Sequence, residues 1–551
     1  MQRNKTSKVT AKRPCDDVFT QHLEGRCTTP IPGDKIACSY WNAVQHFSER
    51  GRLEMDLAME DVDLFLQFLQ SEETRCICEH YDVTVHICDF GTCRALCEAI
   101  ARLKSPTSCR RIRVSIGSGG TPDFPNEPDF PELREVVEVK ASAFKTYTGQ
   151  CPDLCGLTNL TTIGKHAFEN ATGEPDLSGL KSLIAIGDHA FENATGQPNL
   201  SGLTNLTTIG DYAFAYGKGE PNLSGLVSLT RIGDYAFFEA EGRPNLSKLT
   251  KLATIGNGAF FSAAGEPDLR GLASLTTIGD YAFRSATGQP NLSGLTNLTT
   301  IGKRAFVSAT GEPDLRELPS LITIGEYAFR NATGQPSLSG LTSLTTIDKR
   351  AFENATGEPD LRGLTSLTTI GDYAFRNATD QPNLHGLTNL SMIGVEAFAY
   401  ATGEPNLSTL TSLTTIGVKA FLSATGQPNL SGLTNLTTIG VEAFRNATGQ
   451  PNLHGLTNLT TIGKRAFENA TVQPNLSGLP NLTTIGKSAF FSATGQPDLR
   501  GLTSLTTIGD YAFFSATGQP NLSGLAMHIT IGESAFGDAT GRPNRNTCNM
   551  M

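Results

Sequence analysis

Apolar residues recur along this chain with a fixed period of 23 residues. The clearest mark of the period is Ile-(Gly)-x-x-Ala-Phe, which occurs 17 times, first at 163–168 and last at 531–536. In one unit the apolar positions are Leu200, Leu203, Leu206, Ile209, Ala213 and Phe214. A period of roughly 20–29 residues with leucines at set offsets is typical of coils that are too small to bury their own apolar face. The pattern therefore predicts a stacked solenoid of about 17 coils.

Each part of the unit has its own local prediction. The β-branched run Thr207-Thr208-Ile209 predicts a short strand. Residues 210–214 predict a single helical turn, with Asp211 in its first turn, where a carboxylate is favoured. We expect Gly210 to need a turn conformation with positive φ, because the one replacement at this position is Asp348, which tolerates it. The Gly-x-Pro-Asn/Asp segment predicts the opposite corner, closed by an Asx turn.

The phenylalanines of successive units are expected to form a ladder through the core, beginning with Phe168, Phe191, Phe214 and Phe237. Burial of each phenylalanine stabilises the fold by roughly 1.5–3 kcal/mol. Residues 127–144 match the unit position for position, with Val139 in place of isoleucine, so the solenoid is predicted to begin near Glu127. One extra residue near Cys151 loosens the first junction, and Arg545 and Cys548 predict a polar C-terminal cap.

The repeated Ile-Gly-x-x-Ala-Phe resembles the BspA-type, or Treponema pallidum-type, leucine-rich repeats. In those repeats a cysteine follows three residues after the phenylalanine, where this chain has Ala171, Ala194 and Ala286. The resemblance covers roughly residues 127–545 and implies a right-handed α/β leucine-rich-repeat solenoid. The Gly-x-Pro half of the unit departs from the family pattern, which leaves open which segment forms the main sheet. Family members are commonly surface or secreted adhesion proteins, so the resemblance also implies an adhesin or host-interacting role.

The chain divides into four segments. These are a disordered basic tail at 1–14, a Cys-rich α/β domain or cap at 15–116, a Gly/Pro linker at 117–126 and the solenoid at 127–551. In the second segment the pattern predicts helices at 56–70 and 92–103 and strands at 83–88 and 111–116. The βαβ order fits a cap whose parallel strands continue into the solenoid, and it also fits a separate α/β domain.

Cysteine and histidine offer little chemistry. Nine of the 12 cysteines precede the solenoid, and an odd number without a secretory signal indicates reduced thiols. One group has ligand types that zinc prefers: Cys76, Cys78, His80, His86, Cys88 and Cys93. Its spacing matches no paired Cys-x-x-Cys knuckle, so buried or free thiols are favoured. The histidines of the array occupy scattered coils. We therefore expect no catalytic set, no metal and no cofactor, and predict a protein that is not an enzyme.

Charge and the termini limit partners and location. The net charge of −10, with both signs interleaved among the coils, argues against nucleic acid as a partner. The N-terminus lacks the apolar stretch of a signal peptide, and no apolar run approaches about 18 residues. We expect a cytoplasmic protein without membrane insertion. The alternative is the cell surface or secretion by a leaderless route.

The candidate binding surface consists of the variable positions between Ile-Gly and Ala-Phe. Tyrosine and arginine are enriched at protein-binding hot spots, and both occur repeatedly at the second of these positions. The candidate protein-binding residues are Tyr212, Tyr235, Tyr281, Arg304, Tyr327, Arg350 and Tyr373. We expect these side chains to point away from the phenylalanine ladder, and the tyrosines to stack. The favoured hypothesis is a non-enzymatic scaffold that binds another protein; a solvated face without a ligand is the alternative reading of the same residues.

Three glycosylation sequons crowd one coil, at Asn193, Asn199 and Asn205. Without a signal peptide, we interpret them as turn and corner asparagines whose side chains cap nearby backbone groups.

Overall fold

A computed structural model describes the strands between residues 46 and 139 by their backbone, then residues 141–145 and most of 157–538. The gaps after 157 fall mainly at the Gly-x-Pro corners. The chain separates into two parts, residues 1–205 and 206–551. The helix predicted at 56–70 is wrong at its start, since Asp56 and Leu57 end a strand that begins at Arg52. Other predictions lie outside the described residues: the basic tail, the linker, the rest of that helix, the helix at 92–103, Cys76, Cys78 and His80, the extra residue near Cys151 and the C-terminal cap.

The first part contains seven described strands. They are β1 His46–Ser48, β2 Arg52–Leu57, β3 Asp82–Ile87, β4 Ile112–Ile116, β5 Val136–Val139, β6 Thr162–Ile163 and β7 Ala185–Ile186. β1 pairs antiparallel with β2, and from β2 to β7 each strand pairs in parallel with the next. The strands predicted at 83–88 and 111–116 are β3 and β4. The pairing of β4 with β5 continues the N-terminal sheet into the first coil.

The second part contains fifteen described strands, each two residues long. They are β8 Thr208–Ile209, β9 Arg231–Ile232, β10 Thr254–Ile255, β11 Thr277–Ile278, β12 Thr300–Ile301, β13 Thr323–Ile324, β14 Thr346–Ile347, β15 Thr369–Ile370, β16 Met392–Ile393, β17 Thr415–Ile416, β18 Thr438–Ile439, β19 Thr461–Ile462, β20 Thr484–Ile485, β21 Thr507–Ile508 and β22 Thr530–Ile531. Each pairs in parallel with the next, so that isoleucine faces isoleucine from β8 to β22. The Thr-Thr-Ile segment therefore forms the main sheet, and the predicted 23-residue leucine-rich solenoid is confirmed.

Each part has a phenylalanine ladder in its core. Phe144, Phe168 and Phe191 stack at 4.8 and 5.0 Å between ring centroids. From Phe214 to Phe536 the centroid spacing is 5.1–5.4 Å, and the rings are nearly parallel. The leucines, isoleucines and alanines of the unit are buried beside the rings. Since a coil shares this core only with its neighbours, stability resides in the contacts between coils.

The predicted helical turn is wrong. Residues 211–216 form consecutive turns, in which Tyr212 and Tyr216 have φ of 54° and 57°. The amides of Tyr212, Phe214 and Tyr216 donate to carbonyls of the next coil at 2.8 Å, so the segment makes a second ladder of hydrogen bonds between coils. A helical turn would have directed these amides along its own axis instead. Asp211 accepts the amide of Asp234 at 2.8 Å rather than capping a helix.

The glycine of Ile-Gly is required for a different reason from the one predicted. At the described coils this glycine does not have positive φ. Instead, a Cβ on Gly233 would lie 2.5 Å from the carbonyl carbon of Gly210, and one on Gly256 would lie 2.5 Å from that of Gly233. The backbones of successive coils therefore approach closely here and leave little room for a side chain, although Asp348 occupies the position in one coil. Positive φ falls on the second residue after the glycine.

Polar side chains also repeat from coil to coil. Asn199 accepts the amide of Ser201 at 3.1 Å, which confirms the predicted Asx turn at this corner. Asn205 donates to the carbonyl of Lys181 at 2.8 Å, and Asn193 donates to Asn170 at 2.7 Å. These asparagines cap local backbone groups or bridge adjacent coils. Among the described residues there is no helix with the length and hydropathy of a membrane span.

Candidate functional site

The predicted surface residues lie on the turn segment, two positions before each buried phenylalanine. All seven have φ between 54° and 59°, and all are half-buried. This left-handed conformation is unusual for residues other than glycine. It is held because the amide of each residue donates to a carbonyl of the next coil, as for Arg304 to Glu326 at 2.8 Å. The backbone thus fixes the direction in which each side chain leaves the coil.

Five of these residues, in consecutive coils, form what we call the Tyr-Arg column: Tyr281, Arg304, Tyr327, Arg350 and Tyr373. The guanidinium carbon of Arg304 lies 5.5 Å from the ring centroid of Tyr281 and 4.8 Å from that of Tyr327. Arg350 lies 5.4 Å from Tyr327 and 4.7 Å from Tyr373. Each arginine is therefore sandwiched between two tyrosine rings, a geometry that favours cation–π attraction.

The other two predicted residues form a separate pair. Tyr212 and Tyr235 stack at 4.9 Å with an angle of 14° between their rings. In the next coil Gly258 takes the position, and a Cβ on it would lie 2.3 Å from the ring of Tyr235. The predicted stacking of tyrosines is thus present at Tyr212 and Tyr235. At Tyr281, Tyr327 and Tyr373 arginines intervene, so these three tyrosines do not stack on one another.

A second row of side chains, one position after each phenylalanine, supports the column. Arg284, Arg330 and Arg376 lie 5.4–5.8 Å from the rings of Tyr281, Tyr327 and Tyr373. Glu353, of which 5% is exposed, lies 2.9 Å from Arg330 and 3.9 Å from Arg376. A buried carboxylate shared by several guanidinium groups is partly compensated, and it orders them. The column and this row together carry five arginines and one glutamate.

The sign of the charges alternates further along the array. Lys419 lies 4.0 Å from Glu396 and 3.9 Å from Glu442, and Arg465 lies 4.0 Å from Glu442. In this stretch basic and acidic side chains of neighbouring coils therefore form ion pairs with one another. Lys303 directly precedes Arg304 of the column. Its hydrogen bond to Glu326 raises the pKa of the Lys303 ammonium group.

The structure also brings together residues that the sequence reasoning did not select. His166 and His189 occupy the same position in successive coils, and their rings stack at 4.6 Å. Each is followed three residues later by a glutamate, and Nδ1 lies 2.6 Å from Glu169 and 2.7 Å from Glu192, respectively. The signal was present in the sequence, because a separation of 23 residues is one coil. The prediction that the histidines occupy scattered coils is wrong for this pair.

Strands β17 to β20 border a shallow polar groove of about 720 Å³. It is lined by Ser412, Thr414, Asn435, Thr437, Asn458, Thr460, Asn481, Thr483 and Ser504. Many of these groups already bond the backbone, since Asn435 and Asn458 donate to carbonyls of the preceding coil at 2.8 Å and Thr437 does so at 3.0 Å. The groove lacks aromatic anchors and charged groups.

Parallel two-residue strands, a 23-residue period and inward leucine columns together define a leucine-rich-repeat solenoid protein. Residues 137–224, 221–312, 314–427 and 414–541 match the family model described as BspA type leucine rich repeat region, and the chain belongs to that family. Proteins built from such repeats are generally non-enzymatic scaffolds. A comparison with curated proteins gave no match.

Solved structures of bacterial leucine-rich repeat proteins are similar to this chain at low identity. A protein of Leptospira interrogans is 10% identical, with a TM-score of 0.32, over 73% of this chain and 92% of that one. A protein from Eubacterium ventriosum is 16% identical, with a TM-score of 0.24, over 75% and 86%. A leucine rich cell surface protein from Faecalibacterium prausnitzii is 15% identical, with a TM-score of 0.18, over 74% and 82%.

Proposed function

We propose that this chain is a non-enzymatic scaffold that binds another protein through the Tyr-Arg column. The observation that carries the proposal is the sandwiching of Arg304 and Arg350 between tyrosine rings, with centroid distances of 4.7–5.5 Å. Tyrosine and arginine are the residues that most often contribute large binding free energies at protein interfaces. Here both occur in one continuous row.

Order within the column supports binding. Arg304 donates to the phenolic oxygen of Tyr281 at 3.0 Å, and Arg350 donates to that of Tyr327 at 2.9 Å. Side chains held in this way lose less conformational entropy when a partner binds, because part of that entropy is already lost on folding. The column therefore offers a pre-organised surface.

The charge of the surface indicates the partner. Arg284, Arg330 and Arg376 flank the column, with Glu353 near Arg330 and Arg376 and with Glu396 3.4 Å from Arg376. An acidic partner would meet several guanidinium groups that donate to carboxylates in paired, planar geometry. We expect an extended acidic segment of another protein to lie along consecutive coils.

The test selects peptides from a random library on the immobilised full chain and measures their affinity by fluorescence anisotropy. The variant replaces the three tyrosines of the column, Tyr281, Tyr327 and Tyr373, with serine. Ser488 already occupies the same position with φ of 55°, so serine fits the backbone there. Selected acidic peptides should bind this variant at least about tenfold more weakly.

A control variant replaces Asn435, Asn458 and Asn481 of the polar groove with serine. Serine is the natural residue at the same position of two other coils, at Ser412 and Ser504. This variant should bind the peptides as the natural chain does. Equal binding by the natural chain and the tyrosine variant, both folded by circular dichroism, would refute the proposed surface. Loss of binding in the asparagine variant alone would assign binding to the groove instead.

A further inference from the structure

The first part of the chain holds a cluster of metal-ligating groups. One ligand atom each from His166, His189 and Glu192 lie within 4.8 Å of one another, and all three residues are half-buried. Glu169 lies beside them, 2.6 Å from Nδ1 of His166. We propose that His166, His189 and Glu192 bind a divalent transition-metal ion, with Zn²⁺ as the ion that fits best.

The donor set is the first argument. Two imidazoles and a carboxylate are a common set of three protein ligands for Zn²⁺, with water completing the tetrahedron. The same set also suits Fe²⁺, while Mg²⁺ and Ca²⁺ prefer oxygen ligands alone. The nitrogens of the two histidines therefore select for a first-row transition metal.

The backbone is the second argument, because it fixes where the ligands stand. The amides of His166, Phe168 and Asn170 donate to Asp188, Ala190 and Glu192 in the next coil at 2.7–2.9 Å. His166 and His189 share nearly the same backbone conformation, with φ of 57° and 56°. Both rings therefore leave parallel coils in parallel directions, and they stack with an angle of 18° between them.

The movement that binding requires is small. Ligand atoms about 2.0–2.1 Å from a tetrahedral ion are roughly 3.3 Å apart. The three atoms here lie within 4.8 Å of one another, so each pair has to approach by at most about 1.5 Å. Glu192 already bonds Nδ1 of His189 at 2.7 Å.

Charge is the third argument. Glu169 and Glu192 bring two carboxylates to a site where Lys145, 2.9 Å from Glu169, is the basic neighbour. Because Glu169 contacts Lys145 and His166, it orients His166, whereas Glu192 is placed to ligate the ion. Such outer carboxylates orient ligating histidines in known metal sites.

The sequence confines this arrangement to one place. Among the 17 coils, histidine occurs two residues before the phenylalanine only at His166 and His189, and both are followed by Glu three residues later. In the next coil the corresponding residues are Tyr212 and Ala215. The site therefore needs this pair of coils.

The experiment measures Zn²⁺ bound to the full chain by equilibrium dialysis and atomic absorption after removal of metal with EDTA. The double variant His166→Tyr/His189→Tyr uses the residue that stands in the next two coils, at Tyr212 and Tyr235. We expect this variant to bind one equivalent fewer than the natural chain, and Glu192→Gln to bind that equivalent about 10–100-fold more weakly. His454→Asn is the control and should lose nothing.

X-ray absorption distinguishes this site from the cysteines. The signal lost in the double variant should be that of nitrogen and oxygen ligands at about 2.0–2.1 Å, whereas cysteine ligation gives sulfur at about 2.3 Å. An unchanged number of bound ions in a double variant that is folded by circular dichroism would overturn the proposal. Loss of a sulfur signal alone would overturn it equally.

Discussion

The phenolic oxygen of Tyr281 accepts a hydrogen bond of 3.0 Å from Nη1 of Arg304, the residue one coil further along. The same guanidinium lies against the ring of Tyr327 in the following coil. Three consecutive coils are thus joined by side chains on the surface as well as by the core. Such contacts tie the proposed binding surface to the local stability of the array.

Replacement of Arg304 by lysine should loosen these coils while keeping the charge. Lysine lacks the planar guanidinium that contacts both rings, so we expect a local loss of about 0.5–1 kcal/mol. Hydrogen exchange measured by mass spectrometry on peptides from 277–332 would report it. Lys464→Arg, at a position outside the column, should leave the exchange of 277–332 unchanged.

Replacement of Phe283 by alanine should destabilise the array far more than the same change at Phe536. Phe283 is completely buried between the rings of Phe260 and Phe306, whereas Phe536 is half-buried and stacks on Phe513. The expected loss at Phe283 is about 3–5 kcal/mol, and urea unfolding should become non-two-state. Equal losses at the two positions would contradict a stack in which coils interact only with their neighbours.

Two glycines should respond differently to asparagine. Gly256 has little space for a Cβ, which would lie 2.5 Å from the backbone of Gly233, so Gly256→Asn should cost about 1–3 kcal/mol. Gly363 has φ of +83° with nothing within 4 Å of a Cβ, and asparagine tolerates this conformation. Gly363→Asn should therefore cost less than about 1 kcal/mol. Urea midpoints of the two variants would compare them, and a reversed order would refute this reading.

Glu353→Gln should weaken the arginine row. The carboxylate is almost completely buried and lies near Arg330, Arg350 and Arg376. Loss of its charge should destabilise these coils by about 1 kcal/mol, since the arginines themselves are about a third exposed. Hydrogen exchange of Asn331, whose amide donates to the Glu353 carbonyl at 3.0 Å, is the readout. Glu468→Gln, at a more exposed carboxylate, is the control and should have a smaller effect.

The Asp498 carboxyl should titrate below its ordinary pKa of 3.8. Nη2 of Arg500 donates a hydrogen bond of 2.7 Å to Oδ2 of Asp498. This bond lowers the pKa of Asp498 and outweighs the effect of burial, which raises it. Because the folded-state pKa is lowered, the contribution to stability is present above the unfolded pKa and is lost as pH falls through the folded pKa. Carboxyl NMR titration should show the pKa rising in Arg500→Ser, where Ser477 supplies the natural precedent. No change in that variant would contradict the assignment.

The sequence by itself determined the coil and its core. A constant separation of 23 residues places Phe260, Phe283 and Phe306 in one column wherever the coils stack in register, and hydrophobic burial leaves no other place for them. The short strand at Thr-Thr-Ile and the Asx corner at Asn199 follow from local preferences of the same kind. The 23-residue period also identifies the seven candidate binding residues as occupants of one position in the unit.

Only the tertiary structure decided how the turn segment runs. The sequence Gly-Asp-Tyr-Ala-Phe suits a helical turn locally, yet the amide of Tyr212 donates to Asp234 in the next coil, and this bond selects positive φ. The need for glycine at Gly233 comes from close approach to Gly210, which no local pattern reveals. The sandwiching of arginines between tyrosine rings likewise arises from contacts between neighbouring coils. Hydrogen bonds and contacts across 23 residues outweigh local preference here, because each coil is stable only against the next.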